Sequence, residues 1–133
     1  MLETVNHERE QVGIPPLTSN ALLDVSAQAY AEDMLKRDFF GHESPEGESL
    51  KERVHRAGYG NLTLQNCNCH RATTFFGENL AKGQPTVAWA MDDWMHSPDH
   101  RENILNPAFK ELGVGIAGTL WVQHFGTITI VPK

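Results

Sequence analysis

The chain has 133 residues, 40% hydrophobic and 21% charged, with a formal net charge of −6 and no run of Lys or Arg. That composition excludes a disordered or fibrous chain, and the acidic balance argues against nucleic acid or an anionic membrane as partner, since both ask for clustered positive charge. The length suits a single domain over residues 1–133 with a core that needs no metal or disulfide staple, and no stretch approaches the ~18 apolar residues of a transmembrane segment.

Leu2 to Val12 reads as a helix, ended by Gly13 and by Ile14-Pro15-Pro16, which enforces an extended turn. A polar helix this close to Met1 is not a signal peptide, which leaves a cytoplasmic protein or the mature part of a secreted precursor. Thr18, Ser19 and Asn20 offer N-cap oxygens to a long helix reaching Asp38. Leu22, Val25, Ser26 and Ala29 recur at three- and four-residue spacing, which predicts that their face is buried, and alanines at 27, 29 and 31 allow a close neighbour. Phe39 and Phe40 are expected to anchor the next loop, with Gly41 left-handed at the helix end and His42 just beyond. Ser49-Leu50-Lys51-Glu52 is a capping box for a helix through Ala57, closed by Gly58.

Gly60 to Arg71 is polar and predicts a surface loop, carrying the sequon Asn61-Leu62-Thr63 together with Cys67 and Cys69. Cysteines so close together cannot staple distant segments, and a lone pair does not complete a zinc shell, so they read as incidental thiols. Phe75 to Leu80 is apolar and then sharply polar at Glu78-Asn79. Thr86 opens a helix with an apolar stripe of Val87, Ala90, Met91, Trp94 and Met95, and Trp89 is assigned to the core with it. Ser97-Pro98-Asp99 has the order of a fresh helix start, with His100 on its first turn. The remainder reads as strands over residues 113–117, 120–125 and 127–131, with a turn at Gly118-Thr119. The middle strand carries bulk on both alternating sets, Leu120 and Val122 against Trp121 and Phe125, so both sheet faces must be covered. The expectation is an α+β fold, a three-layer α/β/α sandwich around a mainly antiparallel sheet.

Several stretches, in order, resemble the CAP superfamily of cysteine-rich secretory (SCP-type) domains, in its compact bacterial form. They are Val5-Asn6-His7-Glu8-Arg9, Phe40-Gly41-His42-Glu43-Ser44-Pro45-Glu46-Gly47 and Arg53-Val54-His55-Arg56-Ala57-Gly58-Tyr59. Gly77-Glu78-Asn79-Leu80-Ala81, Trp94 through Leu105, Gly113-Val114-Gly115 and Trp121 through Gly126 continue the series. The resemblance implies a cavity lined by two histidines and two acids, in which His42, Glu78 and His100 take three positions. Ser97 stands where the second acid is expected; as the predicted N-cap, its structural role is favoured over a catalytic one. Asp99 replaces a residue that is often Gly, and its charge should favour protonated His100. The resemblance also implies a secreted or cell-envelope setting and a lipid, sterol, cell-envelope or protein ligand.

If His42, Glu78 and His100 meet, the two imidazoles can hold zinc or another divalent cation, with the carboxylate completing the shell or orienting a histidine or water. An exposed pair of this kind binds weakly and lets go as imidazole protonates below about pH 6.5. A binding module is therefore the favoured expectation, with the loop of residues 60–71 as contact surface. The alternative is a metal-assisted peptidase or esterase, weakened by the missing second acid and by the lack of a Gly-x-Ser-x-Gly elbow. A structural envelope protein with a vestigial cavity is the third. His124 is expected to be packed or hydrogen-bonded, His7 and His96 to face solvent, and Asn79 to tie down backbone.

Overall fold

The computed structural model describes residues 1–60 and 69–133, so the sequon and Cys67 lie outside the described residues. In chain order the elements are α1 (Leu2–Gln11), β1 (Thr18–Ser19), α2 (Ala21–Arg37), α3 (Leu50–Arg56), β2 (Cys69–Lys82), α4 (Val87–Met95), α5 (Pro98–Leu105), β3 (Glu111–Ala117) and β4 (Leu120–Pro132). The sheet runs β1-β3-β4-β2, with β1 parallel to β3 and the other pairs antiparallel. Alternation along β4 divides the core between the two faces. Trp121 and Phe125 join Val5, Met91, Trp94 and Ile104 of α1, α4 and α5, while Leu120 and Val122 join Ala27, Ala31 and Met34 of α2. This is the three-layer α+β sandwich the sequence predicts.

Local chemistry accounts for most element starts. Asn20 accepts hydrogen bonds from the amides of Leu22 and Leu23 at 2.9 and 3.1 Å, Ser49 and Glu52 close a reciprocal capping box, and Thr86 caps α4. α2 then lies directly on β3. A Cβ at Gly113 would sit 2.1 Å from the backbone of Leu23, and one at Gly115 would sit 2.3 Å from that of Ala27. Only glycine allows this approach.

That contact also corrects the predicted face of α2. The buried residues are Leu23, Ser26, Ala27, Tyr30, Ala31 and Met34, whereas Leu22, Val25 and Ala29 point outward. Helical spacing fits either stripe, and the glycine-lined strand selects the one containing Ala27. Thr18 and Ser19 form β1 and leave the capping to Asn20. The left-handed residue at the helix end is Asp38 (φ 53), not Gly41. Phe39 packs edge-on to Tyr30 with ring centroids 5.8 Å apart, but Phe40 is exposed, so the loop has one aromatic anchor. β2 begins at Cys69, which makes residues 69–71 strand; Cys69 is buried and disulfide-bonded, not a free thiol. Phe75 to Leu80 lies inside this same strand, whose apolar residues alternate too weakly to announce it. Trp89 is exposed while Met91 and Trp94 are core. No helix among the described residues is long and apolar enough to cross a membrane.

Candidate functional site

Glu78 sits in β2 opposite His124 of β4, on the face covered by α2 and α3. Its side chain is 1% exposed and its carboxylate is fully engaged. Oε1 accepts from His42 Nδ1 at 2.8 Å and from Arg53 Nη2 at 3.3 Å; Oε2 accepts from Arg53 Nη1 at 2.7 Å and from His124 Nε2 at 2.7 Å. Two partners on each oxygen use the acceptor capacity of a carboxylate. Burial alone would push this acid up, but the hydrogen bonds from His124, His42 and Arg53 outweigh it and hold the carboxyl down at about 2.

Arg53 is the clamp. Buried on α3, it also donates to the His42 carbonyl at 2.5 Å and lies with its guanidinium 3.4 Å from the Tyr30 ring centroid. Tyr30 in turn donates from its hydroxyl to the Gly41 carbonyl. The loop bearing His42 is thus held by its backbone on both sides of that residue. The imidazole itself remains open, with 62% of the side chain exposed. The hydrogen bond to Glu78 raises His42 above the ordinary histidine value, against the effect of burial.

His100 is held by different groups. Its Nδ1 lies 2.8 Å from Ser97 Oγ, and its carbonyl accepts from Asn79 Nδ2 at 3.0 Å. Ser97 occupies the N-cap position of α5, but its side chain makes no capping bond and turns to the histidine instead. Asn79 ties down backbone as expected. His100 is pushed below the ordinary value, chiefly by burial and then by the charge of His42; Asp99 acts in the opposite direction but does not win. The expectation that Asp99 favours the protonated form is thereby corrected, since desolvation exceeds one exposed carboxylate.

His42 and His100 are therefore electrostatic neighbours, each with Nδ1 committed. Glu78 stands behind His42. Among the described residues no three His, Cys, Asp or Glu side chains are grouped to hold a metal ion. Both oxygens of Glu78 are engaged by protein donors, so the carboxylate orients His42 and is not free to serve as a metal ligand itself. Beside His100 lies a depression of about 240 Å³ whose walls include Phe40, Leu80, Trp94 and Ser97.

Sequence reasoning missed Arg53, Ser26 and the full role of His124. His124 is packed and hydrogen-bonded, as expected, but it is also a partner of Glu78; its Nδ1 lies 2.6 Å from Ser26 Oγ. Burial pushes it below the ordinary value against the pull of Glu78. Ser26, His124 and Glu78 are connected like a nucleophile relay, yet Ser26 is buried inside α2 and also bonds the Leu23 carbonyl at 3.0 Å. Arg53 carried one usable signal: an arginine beside Val54 on the inward side of a short capped helix.

The cysteine-rich secretory protein family model, CAP, matches residues 2–125. The chain is 36% identical over 127 residues to the uncharacterised Bacillus subtilis protein YkwD, covering 94% of this chain and 45% of that one. It is 28% identical over 125 residues to the uncharacterised membrane protein YlbC of the same organism, covering 94% of this chain and 33% of that one. The chain thus spans less than half the length of these two relatives. An extracellular SCP-domain protein of Bacillus anthracis superposes with a TM-score of 0.79 at 27% identity, over 99% of this chain and 39% of that one. An outer surface protein of Borrelia burgdorferi superposes with a TM-score of 0.73 at 16% identity, over 99% and 90% of the two chains.

Proposed function

Because the chain belongs to the cysteine-rich secretory protein (CAP) family, we propose that it is an extracellular or cell-envelope binding domain whose ligand meets the rim made by His42 and His100. The observation that carries this reading is the paired fixing of two imidazoles through Nδ1, by Glu78 at 2.8 Å and by Ser97 at 2.8 Å. The extracellular setting is supported by the likeness to the Bacillus anthracis protein described as extracellular.

The rim suits a divalent cation such as zinc, held weakly by His42 and His100, which would there offer a charged coordination point to a ligand. The adjoining depression, with Phe40 at its lip and Leu80 and Trp94 in its wall, supports a lipid or sterol, or an apolar group of an envelope or protein ligand. The connection through Ser26 does not favour the hydrolase alternative, because that side chain is buried and its hydroxyl bonds the Leu23 carbonyl. Calorimetry with zinc at pH 7.5 should give about one ion per chain, lost in His42→Ala. Unchanged binding in that variant would exclude the assignment.

A further inference from the structure

On the outer side of α2 and α3 lies a second cavity, of about 360 Å³, that shares no residue with the depression beside His100. Its apolar wall is the outward stripe of α2: Val25, 57% exposed, and Ala29, faced by Ala57 just beyond α3. These α2 residues have helical periodicity yet cover nothing in the core.

The polar walls are charge-balanced, with Arg37, Arg53 and Arg56 against Asp33, Glu46 and Glu48. They are also fixed in advance. Arg37 holds Asp33 and Glu46 at 2.7 Å each, and Arg56 bonds Glu48. The loop carrying both glutamates is pinned by Ser44, whose Oγ accepts from the Glu48 amide at 3.0 Å and whose carbonyl accepts from the Gly47 amide at 2.8 Å. Groups ordered in this way lose little entropy when a ligand arrives. Hydrogen-bonding capacity remains. Glu48 commits one carboxylate oxygen to Arg56, and Arg56 commits one of its nitrogens.

We propose that this cavity binds a neutral carbohydrate unit, its C–H face on Val25 and Ala29 and its hydroxyls on Glu48 and Arg56. Zero net lining charge disfavours a simple anion or cation, each of which would face like charge at close range. An acyl chain would leave the second oxygen of Glu48 and the remaining nitrogens of Arg56 without partners. The volume is at the small end of ligand pockets, roughly 300–1,000 Å³, which suits one or two sugar rings. The proposal is independent of the His42 and His100 reading.

The test is an amide NMR titration of the whole chain with N,N′-diacetylchitobiose, maltose and inorganic phosphate. At least one of the two sugars should give saturable shifts centred on Val25, Ala29 and Arg56, and phosphate should give none there. Ala29→Trp, which fills the cavity from an exposed helical position, should weaken that binding at least tenfold, and Glu48→Gln should weaken it without altering the fold. His42→Ala should leave it intact, which separates failure here from failure at the rim. Absence of saturable shifts with both sugars, shifts centred on His42 and His100, or full binding by Ala29→Trp and Glu48→Gln would overturn the proposal.

Discussion

Two neighbouring cross-strand pairs on β2 and β4 hold the two halves of the rim by different physics. Glu78 pairs with His124, and one residue along, Asn79 pairs with Gln123. Successive strand residues face opposite sides of a sheet, so the first pair lies under α2 and α3 and the second toward α5. Both are buried. The first is ionic, completed by Arg53, and it locks the His42 side chain. The second is a neutral amide network: Asn79 donates to Gln123 at 3.1 Å and to the His100 carbonyl, and accepts from Asn103 at 2.9 Å. A charge sets one imidazole and neutral hydrogen bonds set the backbone of the other; the hydrogen bond to Glu78 raises His42, while burial and the charge of His42 lower His100.

The difference is sharpest when a buried charge loses its partner. Arg53→Met leaves Glu78 without its guanidinium and should destabilise the fold by about 3–5 kcal/mol. Urea unfolding at pH 7 measures it, and a loss below about 1 kcal/mol would mean that the two histidines alone suffice for the carboxylate. Acid acts on the same pair. Glu78 is held from its usual 4.5 down to about 2, so the folded state favours its ionised form. That contribution, on the order of 3 kcal/mol, is present above pH 4.5 and is lost as pH falls from there toward 2. His124 adds an earlier loss: its value is depressed, so below about pH 6.5 the unfolded chain takes up the proton first. His42, raised in the folded state, acts in the opposite direction in the upper window, so that window is read in His42→Ala, where unfolding free energies should fall in both, and Glu78→Gln should flatten the lower one. A lower limb just as steep in the variant would show that other carboxylates cause it.

Much of the architecture was readable from caps and alternation. Asn20, the Ser49 box, Thr86 and the two-sided strand at 120–125 each determine local structure by short-range rules. The face of α2 was not, because Leu22, Val25 and Ala29 satisfy helical spacing as well as Leu23, Ala27 and Ala31 do; the choice rests on Gly113 and Gly115, distant in sequence. At the site, the resemblance pointed to His42, Glu78 and His100, whereas Arg53 and His124 meet Glu78 only through the register of β2 on β4 and the docking of α3. Ser97 shows the limit most clearly, since its sequence context is that of a cap and its hydroxyl serves His100.

On the neutral side, Asn79→Ala should cost about 1–3 kcal/mol by removing the donor to Gln123 Oε1 and the His100 carbonyl, with the same loss at pH 5 and pH 8 because no member of the trio titrates. A loss that varied between those two values would tie the amides to the ionic pair and undo the distinction. The smallest effect is expected at Ser97. Ser49→Ala removes a real cap and should cost about 1 kcal/mol. Ser97→Ala removes no capping bond, so its stability change should be smaller than that of Ser49→Ala. It does free the His100 ring, and fixing of a ligating imidazole through its second nitrogen is typically worth about 10–100-fold in metal affinity. Zinc binding should therefore weaken in Ser97→Ala by about that factor while the unfolding midpoint scarcely moves. The reverse result, full zinc affinity with a cap-sized loss of stability, would return Ser97 to the helix and leave His100 held by its backbone alone.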